Sequence, residues 1–279
     1  MQKEATFDER QKQQDELDRK VKETLGKIKY KILVLSNKGG VGKSFVAVSL
    51  SASLSKENKV GILDADIHGP SIAKMLGFEG KQVAITPQGV APVVINPSLL
   101  AFSMASLISG PDMPVIWRGP LKMGALKQFI GEVVWGELDY LIVDAPPGTG
   151  DEPLSICQLI PDMDGAIIVT TPQEVALSDS RKCVQFLIQL RIPILGIIEN
   201  MSEFTCPHCG KRIDIFKTGG GEKAARELGI PFFGRIPLDP NIVDAGDSGV
   251  PFIDKYTDSP TAQKFSEIVE KIRSRIEKE

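Results

Sequence analysis

Ile32-Leu33-Val34-Leu35-Ser36-Asn37-Lys38-Gly39-Gly40-Val41-Gly42-Lys43-Ser44 is the stretch on which the fold turns. Four consecutive apolar residues predict a buried strand. The glycine-rich segment predicts a tight loop, and Lys43-Ser44 opens a helix carrying Phe45, Val46, Val48, Leu50 and Leu54. Glycines let successive backbone NH groups point inward at a triphosphate, and the helix N-terminus adds a favourable dipole for the same anion. Lys38, Gly39, Gly40, Val41, Gly42, Lys43, Ser44 and Phe45 are therefore candidate ATP-binding residues. Lys43 is placed to reach the β- and γ-phosphates and Ser44 to hold Mg2+. One position departs from the GxxxxGK[ST] spacing, since Asn37 stands where glycine is usual. Asparagine tolerates left-handed backbone better than most side chains, so the loop is expected to close around it.

The same strand-then-helix alternation continues along the chain. Val60-Gly61-Ile62-Leu63 predicts a strand ending in Asp64-Ala65-Asp66, and Tyr140-Leu141-Ile142-Val143 a central strand ending in Asp144. Further strands are expected at Ala166–Thr170, Ile194–Glu199 and Phe232–Ile236, and short ones between Val83 and Met104. Helices are expected over Leu121–Val134 and Val175–Leu190. Alternating elements of this kind make an α/β fold, a mostly parallel sheet with helices on both faces and right-handed crossovers. Carboxylates at the carboxyl ends of such strands stand beside the phosphate loop, where a magnesium ion and an attacking water are needed for ATP hydrolysis.

The loop with its second lysine, Lys38, resembles the deviant Walker A motif of the MinD/ParA/nitrogenase-iron-protein class of P-loop ATPases. That resemblance implies that Lys38 reaches across a dimer to the partner's nucleotide. It implies that Asp144 holds magnesium, and that the following Ala145-Pro146-Pro147-Gly148-Thr149-Gly150-Asp151 senses the γ-phosphate through the Gly148 NH. Asp66, in Asp64-Ala65-Asp66-Ile67-His68-Gly69-Pro70-Ser71, matches the aspartate that orients the attacking water, with Asp64 supporting the magnesium hydration shell. Asn200 resembles the asparagine that reads the adenine edge, and Pro237 lies in the segment that covers the base.

At 279 residues the chain suits one large domain or two small ones. One is expected, over residues 29–279, because the nucleotide residues run from Lys38 to Pro237 and no cut leaves a complete site. Residues 1–28 are polar, with Leu17, Val21 and Leu25 spaced four apart, and are expected as a mobile tail rather than a peripheral helix. With 33 basic against 36 acidic residues there is no general attraction to polyanions, and no nucleic-acid partner is expected. No apolar run spans a bilayer and Met1-Gln2-Lys3-Glu4-Ala5-Thr6 lacks a signal-peptide core, so the expected location is cytoplasmic, with no membrane partner. At the far end, Ser259-Pro260 predicts a cap and first helical residue. Phe265, Ile268, Val269, Ile272 and Ile276 then form a stripe expected to pack on the sheet rather than on a membrane surface.

Four cysteines in a reducing compartment are thiols or metal ligands. Cys157 and Cys183 are single, in helical apolar surroundings, and read as core residues. Cys206-Pro207-His208-Cys209-Gly210 is different: two intervening residues let both sulfurs turn to one metal, and Gly210 permits the tight knuckle. One pair is half a tetrahedral site, and a symmetric homodimer would supply four thiolates. Four thiolates suit zinc as readily as a [4Fe-4S] cluster, and on donor chemistry alone zinc is ahead.

The two-lysine loop, Asp-Ala-Asp-Ile-His-Gly-Pro-Ser from Asp64, Trp-Arg-Gly-Pro from Trp117, the Leu138 to Asp151 stretch and Cys-Pro-His-Cys together resemble the Mrp/ApbC family of iron-sulfur cluster carrier ATPases. The resemblance implies a homodimer that binds and hydrolyses ATP and carries a labile [4Fe-4S] cluster on Cys206 and Cys209 of both subunits. The cluster would come from an assembly scaffold as possible donor and pass to apo iron-sulfur proteins. Some relatives carry an N-terminal cysteine motif for a second cluster; none is present here, so only the bridging one is expected. Two other functions compete, a MinD/ParA-type positioning ATPase and a zinc-linked dimeric nucleotide switch.

Overall fold

Strands that are apolar on both faces must be covered on both sides, and that requirement shapes this molecule. The computed structural model describes residues 7–67, 69–81, 83–103, 106, 119–206, 208–213 and 215–278. His68, Met104, Trp117, Arg118 and Pro207, all part of the sequence reading, lie outside the described residues. In chain order the elements are α1 (Phe7–Leu25), β1 (Ile28–Leu35), α2 (Lys43–Leu54), β2 (Val60–Asp64), α3 (Ile72–Met75), β3 (Ala84–Thr86), β4 (Gly89–Ala91), β5 (Val93–Asn96), β6 (Leu99–Ser103), α4 (Gly119–Glu132) and β7 (Leu138–Asp144). There follow α5 (Asp151–Leu159), β8 (Gly165–Thr170), α6 (Ala176–Gln189), β9 (Ile194–Glu199), β10 (Phe204–Thr205), β11 (Arg212–Ile213), α7 (Gly220–Leu228), β12 (Phe232–Arg235), α8 (Asn241–Ser248), α9 (Phe252–Lys255) and α10 (Pro260–Ile276).

Eight strands form one sheet in the order β12-β9-β8-β1-β7-β2-β6-β5, parallel except for β5, which pairs antiparallel with β6 at the edge. Alternation along each strand divides the core. Ile32 and Val34 of β1 and Tyr140 and Ile142 of β7 pack with α2 and α10 on one face. Leu33, Leu35, Leu141 and Val143 pack on the other face with residues of α4, α5 and α6. The α/β expectation, a mostly parallel sheet covered on both sides, is what the molecule has.

The expected tail is instead largely helical. Val21 and Leu25 of α1 are buried against the α4 side, and Thr24 Oγ1 donates to the Gly131 carbonyl at 3.0 Å. Two apolar residues one turn apart suffice here because α4 offers them a ready apolar face, which nothing in the polar N-terminal segment announces. The helix expected to reach Val134 stops at Glu132, because the next two residues pair with Val90: the Val134 NH donates to its carbonyl at 2.9 Å. At the C-terminus Ser259 caps α10 by accepting the Ala262 NH, and Phe265, Ile268, Val269, Ile272 and Ile276 are all buried. Their stripe is core, as expected.

Candidate functional site

Register brings the carboxylates together. In parallel pairing Asp64 stands beside Asp144, and Asp144 beside Val34, two residues before the phosphate loop begins at Ser36. Three strand ends therefore meet at one edge of the sheet. Gly40 and Gly42 hold φ of 76° and 82°, the left-handed geometry that curls the loop back over its own helix. Gly42 is also required for space, since a Cβ there would lie 2.0 Å from the Asn200 amide nitrogen. The cavity above, about 540 Å3, is lined by Lys38, Gly39, Gly40, Gly42, Lys43, Ser44 and Phe45, with Asp66, Gly69, Pro147 and Glu152 among the other walls. A larger open groove of about 610 Å3 between β12 and α10, lined by Phe232, Lys271 and Arg275, has neither a glycine loop nor paired carboxylates.

Lys43 Nζ sits 2.5 Å from Asp144 Oδ1, and Ser44 Oγ donates to Asp144 Oδ2 at the same distance. Asp64 accepts from Ser103 Oγ at 3.0 Å and from the Asp66 and Ile72 NH groups. Both carboxylates are fully buried. Burial, and then the negative charge of Asp144, push the Asp64 carboxyl up to about 7. Burial also raises Asp144, against the pull of Lys43 and its hydrogen bonds. Two buried carboxylates side by side with a hydroxyl form a hard-oxygen donor set, the chemistry that suits Mg2+. Ser44, Asp144 and Asp64 fit that ion. Asp66, farther out, accepts the Gly69 NH at 3.0 Å and lines the cavity.

Several of the loop residues make contacts within the chain. Asn37 is not left-handed; its side-chain amide donates to Asp179 Oδ1 at 2.8 Å, and Lys38 Nζ pairs with Asp179 Oδ2 at 2.9 Å. The irregular position in the loop is thus a tether to α6. Asp179 was not singled out by sequence reading, and its only signal is an acidic residue in the first turn of a helix. In this chain Lys38 is paired with its own Asp179 rather than extended. The Phe45 ring is mostly buried against Phe252 and Phe265, at 5.9 and 6.1 Å between centroids, so it braces the floor of the cavity. The Gly148 NH, expected to face the γ-phosphate, donates to the Ser36 carbonyl at 2.8 Å, tying the loop after β7 to the phosphate loop. Val41 offers its carbonyl to the Asn200 amide at 2.9 Å, while Asn200 Oδ1 is buried without a hydrogen-bond partner. That orphan acceptor suits the amino edge of adenine. Pro237 lies half-buried between Ile236 and Leu238, whose backbones pair with Ser202 and Glu203.

The cysteine pair crowns a hairpin. β10 and β11 pair antiparallel, Thr205 opposite Arg212, and the Cys206 NH donates to the Lys211 carbonyl at 2.9 Å. The Gly210 NH closes the turn onto the Cys206 carbonyl, with Gly210 at φ 69°. NH groups of Cys209 and His208 directed at the Cys206 sulfur lower its thiol from the ordinary value. Burial pushes Cys157 and Cys183 up to about 12 each, which keeps them protonated; Cys183 is in the core, as expected, whereas Cys157 is half-buried against it. Among the described residues no group of three or more His, Cys, Asp and Glu could hold a metal, so this chain brings two thiols to the knuckle.

The family model ParA, described as NUBPL iron-transfer P-loop NTPase, matches residues 27–273. An iron-sulfur cluster carrier protein of Methanocaldococcus jannaschii is 53% identical over 93% of this chain and 89% of its own. One from Saccharolobus solfataricus is 47% identical over 94% and 88%. Among solved structures, a nucleotide-binding protein from Archaeoglobus fulgidus in complex with ADP superposes with a TM-score of 0.76. It is 39% identical and covers 89% of this chain and 96% of that one. The cell-division ATPase MinD of Pyrococcus furiosus shares the fold, with a TM-score of 0.63 at 21% identity, covering 88% and 99%. The family resemblance read from the motifs holds: the chain belongs to the ParA family of NUBPL-type iron-transfer P-loop NTPases.

Proposed function

We propose that the protein is an ATP-binding and ATP-hydrolysing iron-sulfur cluster carrier. A homodimer holds a labile [4Fe-4S] cluster on Cys206 and Cys209 of its two copies and passes it to apo-proteins. The observation that carries this reading is the hairpin knuckle, two thiols at a solvent-facing tip with Cys206 biased toward thiolate, on the same chain as a complete phosphate loop. Two thiolates fill half of a four-thiolate site, and a second copy supplies the rest. A cluster shared in this way has few ligands per chain, which favours release to an acceptor over permanent storage.

At the nucleotide end, Lys43 and the NH groups of residues 39–44 bind the phosphates, and Lys38, released from Asp179, reaches the partner's nucleotide. Ser44 and Asp144, with Asp64 behind, would hold magnesium, which when bound would supply positive charge against that developing on the phosphate oxygens. Asp66 orients the attacking water, and Asn200 with the Pro237 segment holds the base. The names of the archaeal relatives and the ADP in the Archaeoglobus structure support the same assignment. The location read from the sequence, cytoplasmic and away from membranes, remains part of this proposal; among the described residues no helix is long and apolar enough to cross a membrane.

Anaerobic reconstitution with iron and sulfide tests it. About four irons per dimer with a brown chromophore, lost in Cys206→Ser/Cys209→Ser, is the expected result. Colourless protein carrying zinc on the same cysteines would replace the carrier with a zinc-linked nucleotide switch.

A further inference from the structure

Glu199 ends β9 fully buried, and nothing in the nucleotide chemistry uses it. Its carboxylate accepts from Ser202 Oγ at 2.5 Å, from the Gly219 NH at 3.0 Å and from the Gly221 NH at 2.6 Å. Arg235 Nε lies 3.4 Å away, and the same guanidinium pairs with Glu222. Ser202 stands where the chain leaves the sheet for the cysteine hairpin, and Gly219 and Gly221 stand where it returns. One carboxylate thus binds both feet of the loop that carries Cys206 and Cys209. It also serves as the anion at the N-terminus of α7, whose cap, Gly219, has no side chain for the purpose. Gly221 permits the approach, since a Cβ there would meet the Glu199 Cβ at 3.0 Å. The feet themselves are strained: Met201, Glu203 and Lys217 hold φ of 57°, 61° and 67° without being glycine.

The neighbouring residue faces the other site. Asn200 donates to the Val41 carbonyl in the phosphate loop and keeps its Oδ1 for a base. One peptide bond therefore separates the group that touches the nucleotide loop from the group that clamps the hairpin. A buried carboxylate does not give up its donors cheaply, so any displacement of residue 200 by a bound nucleotide would be passed to the feet of the hairpin.

Resting on the carrier reading above, we infer that Glu199 is the positioning residue that makes the Cys206–Cys209 knuckle respond to nucleotide at Asn200. The test measures iodoacetamide alkylation of Cys206 and Cys209 in cluster-free protein, with and without magnesium and a non-hydrolysable ATP analogue. Nucleotide affinity is measured in parallel with a fluorescent ATP. In wild type, nucleotide is expected to change the alkylation rate about fivefold or more, the low end of site-to-site coupling. Glu199→Gln, checked for folding by circular dichroism, is expected to bind the fluorescent nucleotide as wild type does while the rate ratio falls to one. Ser202→Ala, which removes a single bond of the clamp, is expected to lower the ratio and carries the test if Glu199→Gln does not fold. A purely structural clamp would change stability and leave the ratio intact, and an intact ratio in the folded variants overturns the inference. So does a wild-type ratio of one in protein that binds nucleotide. Wild type that binds no nucleotide removes the carrier reading itself, and the inference with it.

Discussion

The two ends of this molecule are built on opposite terms. At the carboxyl edge of the sheet strand register sets Asp64 beside Asp144, and Lys43 and Ser44 at the start of α2 are already bonded to Asp144, with Lys43 and both carboxylates buried. At the hairpin tip Cys206, half-buried, and Cys209, exposed, sit in the turn between two-residue strands, half of a four-thiolate site. Geometry at the first end is preorganised by the fold, as charge stabilisation requires. In the proposed carrier the second is completed only by a second copy of the chain, which would let the ligands there open.

That contrast can be broken by substitution, and the largest effect belongs to the buried end. Lys43→Ala takes a cation from the phosphates and leaves Asp144 buried without its partner. ATP affinity should fall by about a hundredfold or more, and stability by about 3 kcal/mol, measured by titration calorimetry and urea unfolding. Binding as tight as wild type would mean that the phosphates lie elsewhere.

A smaller effect is expected beside it. Asn200→Ala removes the orphan Oδ1 that suits the adenine amino group, and the preference for ATP over GTP should drop about tenfold in competition binding. An unchanged preference would take the base away from residue 200 and leave the carboxylates untouched.

The smallest belongs to the hairpin. In the apo-protein, Cys206→Ser/Cys209→Ser should leave ATP affinity unchanged and stability within about 0.5 kcal/mol, since neither thiol is packed in the core. A loss approaching that of Lys43→Ala would make the knuckle part of the folding core and erase the distinction between the two ends.

Much of this was legible in the residues. The strand, glycine loop and helix from Ile32 to Leu54 could be read because polyphosphate binding needs backbone NH groups in one local order. That Asp64 and Asp144 share one edge could be read because parallel strands of one sheet end together there. The stripe from Phe265 to Ile276 was read as core for its period, and it is core. Other parts were not legible. Asn37 looked like a substitute for glycine, yet it is a tether to Asp179, a residue 142 positions away. The N-terminal segment looked too polar to dock, yet Val21 and Leu25 find a face on α4. Glu199 read only as the last residue of a strand, with no sign in its neighbours of the hairpin feet it holds.

What the sequence by itself determined is the chemistry carried by neighbouring residues: the phosphate loop, the strand-end carboxylates, the two-thiol knuckle and the periodic strands and helices. Each depends on spacing along the chain, which sequence records directly. What only the tertiary structure decided is which distant groups share a proton or a charge. Lys38 and Asn37 meet at Asp179, and Glu199 holds both feet of the cysteine hairpin. These contacts join residues that only the packed sheet brings within hydrogen-bond distance, and burial there makes each of them costly to leave unmade.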